Sequence, residues 1–516
     1  MLRSLRNLFQ LLRIARILAR HNALFVIDLA LVLPGVSWVA GALSHRNVPG
    51  RPGQRLARAL REMGPSFIKL GQMLSTRPDL VGEAIAADLA ELQDSLPPFP
   101  AAIARQIIED ELGQPIAVLF ATFDETPVAA ASIAQVHFAL TPEGRAVAVK
   151  VLRPDIERGF SRDISLFHWL AELALRAQPG LSRLRPTEVV AVFERTCRLE
   201  MDLRLEAAAA SELAENFRND PSFTIPEIDW NRTSRRVLTL ERIHGIPVDE
   251  VERIRAAGFD PDRALAQASS AFFNQVFRDG FFHADLHPGN MFVNEHGNIA
   301  VVDFGIMGRL DRATRTYLAD MLLGFLNGDY RRVAKVHFDA GFVPPHHSLE
   351  IFTQACRAIG EPVRNKPLNE ISVGRLLAQL FAVTEQFDMQ TQPHLLLLQK
   401  SMLTAEGVGR ILNPSVNMWE LARPLIESWM REHRGPEARV LDEVEGLVRA
   451  VRRVPDVLRE TERLTAQLNE GGLRLHPDSL RRLEGSRRHH SPLAALSLVV
   501  AVLALAVALT AVLSGT

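Results

Sequence analysis

Cysteine is nearly absent from this chain of 516 residues: Cys197 and Cys356 stand far apart and outside any CxxC spacing. That argues against a disulfide framework and a cysteine-ligated metal, and suits a reducing cytoplasm. Net charge is lacking too, with 59 Lys and Arg against 60 Asp and Glu, so bulk electrostatics suggests no nucleic-acid partner. There is no internal repeat, and no low-complexity tract apart from the C-terminal tail. No small-residue cleavage site follows the N-terminal apolar run, which speaks against a cleaved signal peptide. What remains is length for roughly two to four domains. With 47% hydrophobic residues the chain has ample material for a large core.

The tail lacks something else. From Ser491 to Thr516 no residue is charged, and Leu493 to Leu513 is almost wholly Ala, Leu and Val. A helix apolar on every face and long enough for about 30 Å of hydrocarbon is expected to span a bilayer, here over residues 491–514. Arg481, Arg482, Arg487 and Arg488 precede it, which places the folded body in the cytoplasm. The earlier stretch Ala23–Leu43 contains Asp28 and Pro34-Gly35 and is flanked by basic residues on both sides. It is expected to lie on the membrane or to pack on the body. Arg6, Arg13 and Arg20 share one helical stripe, which suits either anionic lipid or a solvated face.

The chemistry is written between His283 and Gly305, where HADLHPGN is followed by DFG. Asp285, Asn290 and Asp303 have the spacing of a kinase-type phosphoryl-transfer site. There one carboxylate orients or deprotonates the attacking hydroxyl, while an amide oxygen and a second carboxylate hold magnesium on the phosphates. Either motif alone is weak, since an HxD in a loop is usually a turn with a capping aspartate. In register, with Pro288-Gly289 forcing a loop and Ile299–Val302 reading as the strand that delivers Asp303, they support one another.

The rest of the chain follows that order. Residues 54–94 read as helices broken at Gly64-Pro65 and Arg77-Pro78, closed by the linker Pro97-Pro98-Phe99-Pro100 and followed by a helix near Ile103–Leu112. Strands are expected at Phe120–Phe123, Ile133–Leu140, Ala146–Val151 and Arg236–Arg242, with two helical stretches before the last. Within Ala148-Val149-Lys150-Val151, alternation sets Lys150 on the face opposite the valines, as for a lysine that meets the α- and β-phosphates. Its carboxylate partner is sought on the next long helix among Glu200, Asp202 and Glu206. Asp202 and Glu206 would share a face there, either around a cation or lysine or as a solvated acidic face. A Gly-rich phosphate loop is missing. Its place is taken by Val128, Ala129, Ala130, Ala131, Ser132, Ile133, Ala134, Gln135 and Val136, a stiffer segment whose Ser132 and Gln135 offer polar contacts that glycine lacks.

Taken together, these motifs resemble the UbiB family of atypical kinase-like proteins over about residues 55 to 430. The carrying segments are Lys69-Leu-Gly-Gln72 within GPSFIKLGQMLSTRPD, AAASIAQVH, VAVK, Glu200-Met-Asp202 with Glu206, HADLHPGN and DFG. Ordinary protein kinases lack the first, the second and the Glu-Met-Asp segment. The resemblance implies an α+β, two-lobed protein-kinase-like fold with an N-terminal helical extension and a C-terminal transmembrane helix. The corresponding division is 1–53 basic and apolar membrane-proximal helices, 54–112 helical extension, 113–245 N-lobe with a helical insert, 246–430 C-lobe, 431–490 helical linker and 491–514 anchor. It also implies that the extension lies across the active site and restrains it through Lys69, Gln72, Glu200 and Asp202, leaving Glu206 to pair with Lys150.

The family further implies ATP and Mg²⁺ as cofactors and ubiquinone biosynthesis at a bacterial inner membrane as the setting. Prenylated quinone precursors, membrane lipid and other ubiquinone-synthesis proteins would be the partners. In this scheme the Ala-rich segment, Lys150 and Glu206 serve the nucleotide, Asn290 and Asp303 the metal, and Asp285 the nucleophile. Two rivals stay open. One is a nucleotide-gated scaffold without a phosphorylated product, and the other a small-molecule phosphotransferase of the aminoglycoside or choline kinase type.

Overall fold

The computed structural model describes residues 2–25, 48–75, 81–90, 92, 96–177, 186–362, 383–384, 386–389, 393–415 and 418–434. The expected membrane helix 491–514, nearly all of the linker 431–490 and most of Ala23–Leu43 lie outside the described residues. Among the described residues no helix is long and apolar enough to cross a membrane. The chain divides into two units, residues 1–431 and 432–516, and nearly every described residue belongs to the first.

Helices come first: α1 Leu2–Arg20, α2 Pro52–Met63, α3 Pro65–Ser75, α4 Glu83–Ala90, α5 Ala101–Leu112 and the single turn α6 Ile116–Leu119. Prolines start α2 and α3, where the missing N–H costs nothing. Gly64, at φ 111°, supplies the break between those two helices, a conformation closed to other residues. Helix α1 buries Ile17, Leu18 and Ala19 in the main core, while Arg20 bonds Glu62 at 2.5 Å and Gln10 bonds Asp163 at 2.5 Å. One arginine of the basic stripe is thus engaged by the body, and Arg13 is exposed.

An antiparallel sheet follows, built from β1 Thr122–Phe123, β2 Ala129–Ala130, β3 Ala134–Leu140, β4 Ala146–Leu152 and, later in sequence, β6 Val237–Glu241. Its order is β1-β3-β4-β6, with β2 folding back on β3. Val147, Val149, Val151 and Val237 bury one face against Ile107, Ile108, Ile116, Leu119 and Phe120. Each fully buried valine there contributes at most about 1.5–3 kcal/mol. The expected strand Phe120–Phe123 is shortened: α6 ends at Leu119, Phe120 is already extended at φ −137° and ψ 132°, and only Thr122–Phe123 pairs as a strand.

Among the described residues three α-helices rather than two lie between β4 and β6: α7 Ile156–Ala177, α8 Pro186–Glu200 and α9 Leu203–Asn216. Beyond them a second sheet has the order β5-β10-β9-β7, from Phe223–Thr224, Ile299–Val301, Met291–Asn294 and Gly245–Pro247. The pair β8 Phe281–His283 and β11 Met307–Arg309 stands beside it. Helices α10 Val251–Ala256 and α11 Pro261–Phe273 precede β8, and α12 Arg312–Asn327, α13 Tyr330–Asp339, α14 Leu349–Gly360, α15 Pro393–Leu412 and α16 Met418–Arg434 come after β11. A small sheet with helices, then mostly helix, is the kinase-like mixture the sequence implied.

Candidate active site

Two antiparallel pairings bring the chemistry-bearing loops together. The β9–β10 hairpin pairs Met291 with Val301, and Val302 donates to the Asn290 carbonyl at 2.9 Å, which sets Asn290 beside the start of DFG. The β8–β11 pairing matches His283 with Met307, so the HAD turn and the DFG turn leave the same edge. His283 then ties them: its Nδ1 accepts from the Asp285 N–H at 3.1 Å, and its Nε2 donates to the Asp303 carbonyl at 2.5 Å. This pair of bonds requires the neutral ring, and burial pushes its pKa down in the same direction. Asp303 itself has φ 66°, the left-handed region in which aspartate is among the few tolerated side chains.

Lys150 projects from β4 away from the buried valines, as alternation requires. Its Nζ bonds both oxygens of Glu206, at 2.7 and 3.0 Å, and lies 3.3 Å from Asp303 Oδ2. Glu206 also accepts the Phe304 N–H at 3.3 Å. Burial pushes the Glu206 carboxyl up, against the pull of Lys150. Burial acts the same way on Asp303, yet Lys150 and the Gly305 N–H together hold its carboxyl at about 2. The attraction of the two carboxylates outweighs burial at Lys150 and raises its pKa.

These groups wall a cavity of about 390 Å³ lined also by Lys69, Ala131, Ile133, Glu200, Asp202 and Asp285. Lys69 reaches it from α3 and forms an ion pair with Glu200 Oε2 at 3.0 Å. Gly71 makes the approach of that helix possible, because a Cβ there would stand 2.7 Å from Leu60 and 2.8 Å from Leu92. Gln72 is half-buried on the same helix but is not among the described residues that line the cavity.

The reading of Asp202 and Glu206 as neighbours on one helix is corrected. The helix breaks at Met201, Asp202 becomes the N-cap of α9, and its carboxylate is taken by Arg204 at 2.7 and 2.9 Å. A capping carboxylate satisfies an otherwise orphaned N–H, so a second helix starts where sequence periodicity ran on. The three acidic residues therefore separate: Glu200 to Lys69, Asp202 to Arg204, Glu206 to Lys150.

The Ala-rich segment is a tight hairpin. Val128 and Ala131 donate to the carbonyls of Val136 and Ala134, and only Ala131 and Ile133 of residues 128–136 line the cavity. Gln135 is turned away from it, bonding the Phe99 N–H and carbonyl at 2.9 and 3.2 Å and His137 at 2.8 Å. The expected polar contact from Gln135 is thus spent on fastening the proline linker to the sheet. Arg153 completes that fastening by donating to the carbonyls of Ala131, Leu96 and Pro97. Ser132, at the hairpin tip, is fully buried with an Oγ that finds no partner among the described residues.

These residues fit a magnesium nucleotide on their own chemistry. Asp303 and Asn290 offer hard oxygens of the kind magnesium takes, and Asn290 uses its amide N–H on the Asp285 carbonyl, leaving Oδ1 as the acceptor. Lys150 offers an ammonium for phosphate oxygens. One participant was missed from sequence: Lys400, on α15, bonds Asp285 Oδ1 at 2.8 Å. Its only trace was a single cation after the apolar run Leu395–Leu398.

Residues 91–337 match the ABC1 atypical kinase-like domain, and residues 356–417 match the UbiB helical domain. The chain is 46% identical to the probable protein kinase UbiB of Marinobacter nauticus over 388 residues, 74% of this chain and 71% of that one. The chain belongs to the UbiB family. Two further UbiB-family relatives carry the same description. The Pseudomonas paraeruginosa protein is 42% identical over 88% of this chain and 87% of its own, and that of Xanthomonas campestris pv. campestris 43% over 84% and 81%. Among solved structures, a Mycobacterium tuberculosis protein in complex with erythromycin is 25% identical, covering 69% of this chain and 90% of that one with a TM-score of 0.48.

Proposed function

We propose that this UbiB-family chain is an ATP-using, magnesium-dependent phosphotransferase or ATPase that serves ubiquinone biosynthesis at a bacterial inner membrane. The observation that carries the reading is the convergence of Lys150, Glu206, Asp303 and Asp285 on one cavity. Lys150 and the hairpin at Ala131–Ile133 would hold the phosphates, and Asp303 with Asn290 would hold magnesium, which when bound neutralises charge on the transferring group. Asp285 would orient the attacking hydroxyl. A prenylated phenol or quinone precursor suits the rim, where Leu199 and Leu205 are exposed beside the charged floor. The segment 491–514 would anchor the body to the membrane, with other ubiquinone-synthesis proteins as neighbours.

Lys69 in the cavity wall favours a second reading, a nucleotide-gated scaffold in which the extension of residues 54–112 moves on binding and no product is phosphorylated. Under both readings Lys69 with Glu200 restrains the site. Full-length protein in liposomes containing polyprenyl-phenol, incubated with labelled ATP and magnesium, separates them. The proposal expects label on lipid or in free phosphate, abolished by Asp285→Asn and by Asp303→Asn. Should Asp285→Asn leave both hydrolysis and cellular ubiquinone unchanged while Asp303→Asn abolishes binding, the scaffold reading replaces it.

A further inference from the structure

We infer that Lys400 is a positioning residue for Asp285, so that the UbiB helical domain completes the catalytic loop of the kinase-like domain. The inference rests on the reading of Asp285 as the group that orients the nucleophile.

Asp285 Oδ1 receives the Lys400 ammonium at 2.8 Å, and among the described residues its Oδ2 accepts no hydrogen bond. One oxygen is held and the other is left to a substrate. The HADLHPGN loop supplies no cation of its own for this task. His287 accepts the Gly289 N–H on Nδ1 at 3.2 Å and caps the turn Pro288–Asn290, with its ring exposed. The charge arrives instead from α15, which lies within residues 356–417 and outside 91–337.

Helix α15 packs on α11 and on β11, and β11 pairs with β8, the strand that runs into the Asp285 turn. The ammonium and the carboxylate are therefore set by one connected framework. Stability alone does not account for the pair. Both side chains are about a third exposed, at 36% and 37%, and solvated pairs of this kind add little to folding. The apolar anchoring of α15 comes from Leu395, Leu397 and Leu398, which sit in or against the main core. A lysine carried on a helix anchored in this way, with its head on a reactive carboxylate, is placed for orientation.

The test uses the full-length protein in detergent or liposomes, with magnesium-ATP turnover, affinity for a fluorescent ADP analogue and melting temperature measured on each variant. Lys400→Met is expected to lower kcat by roughly ten- to a hundredfold, the scale of a misplaced catalytic group, with ADP affinity within about threefold of the parent. Lys400→Arg, which keeps the charge, should recover most of that loss. In the Asp285→Asn background, Lys400→Met should cost nothing further, because the group it positions is gone.

Unchanged kcat in Lys400→Met beside an inactive Asp285→Asn overturns this inference and leaves the proposed function standing. An active Asp285→Asn overturns both. A rise in kcat, as from release of an inhibitory clasp, overturns it as well. If Lys400→Met fails to fold, Lys400→Gln and Lys400→Arg decide between the same outcomes.

Discussion

Replacing Glu206 by glutamine removes the charge of the buried carboxylate that holds Lys150 while keeping shape. Glu206 is 7% exposed, bonds Lys150 through both oxygens at 2.7 and 3.0 Å, and accepts the Phe304 N–H. At an effective dielectric near 20 a unit pair about 4 Å apart is worth about 4 kcal/mol. Removing one partner of a buried pair usually costs about 3–5 kcal/mol, because the other charge stays desolvated. Here Asp303, 3.3 Å from the same ammonium, stays to share it, and the amide oxygen of glutamine still accepts from Phe304. The expected loss is therefore about 2–3 kcal/mol.

In a unit of this size that corresponds to a fall in Tm of roughly 2–5 °C, read by scanning calorimetry or fluorimetry. The nucleotide site should register the change as well. With Glu206 neutral, Lys150 leans on Asp303 alone, so the candidate phosphate and metal groups occupy one another. Magnesium-ATP affinity should drop by about tenfold or more, equivalent to about 1.4 kcal/mol. A variant whose Tm stays within about 1 °C of the parent and whose nucleotide affinity is unchanged would refute the view that Glu206 holds Lys150 in place.

Three further outcomes are expected. Gly71→Val drives a side chain into Leu60 and Leu92, and overpacking of about 1–3 kcal/mol should lower Tm and loosen α3, moving Lys69 from Glu200; a normal Tm with normal protease resistance at residues 65–75 contradicts this. Gln135→Leu strands the Phe99 N–H and carbonyl at a cost of about 1–3 kcal/mol, visible as faster amide exchange at Phe99 and along 129–136. Acidification should destabilise the fold from about pH 6.5 downward, since burial lowers the pKa of His137, His283 and His337 from 6.5. Above that pH their contribution is fully present, and below it the unfolded chain binds protons that the folded chain refuses, by up to about 1.4 kcal/mol per group and pH unit. A flat Tm between pH 7 and 5 would oppose that assignment.

Much of the site was legible because it is written in short, local patterns. Alternation placed Lys150 opposite Val149 and Val151, and the pairings of β9 with β10 and β8 with β11 bring the loops of Asp285, Asn290 and Asp303 to one edge. What was misread turned on a helix break and on a partner outside the strand. Asp202 and Glu206 looked like one helical face, yet the choice between a continuing helix and a new N-cap depended on Arg204 and on where α9 packs. Gln135 looked like a ligand group, yet Phe99, outside the strand, claimed it.

By itself the sequence determined the chemistry on offer: the residue types, their loops and the faces of the strands that carry them, all set by periods of two and 3.6 and by proline and glycine breaks. Only the tertiary structure decided the pairings that sent Glu200 to Lys69, Asp202 to Arg204 and Lys400 to Asp285 across 115 residues. The reason is physical. A buried or half-buried charge takes whichever opposite charge the packing brings within about 3 Å, and packing is a property of the whole core rather than of any window of sequence.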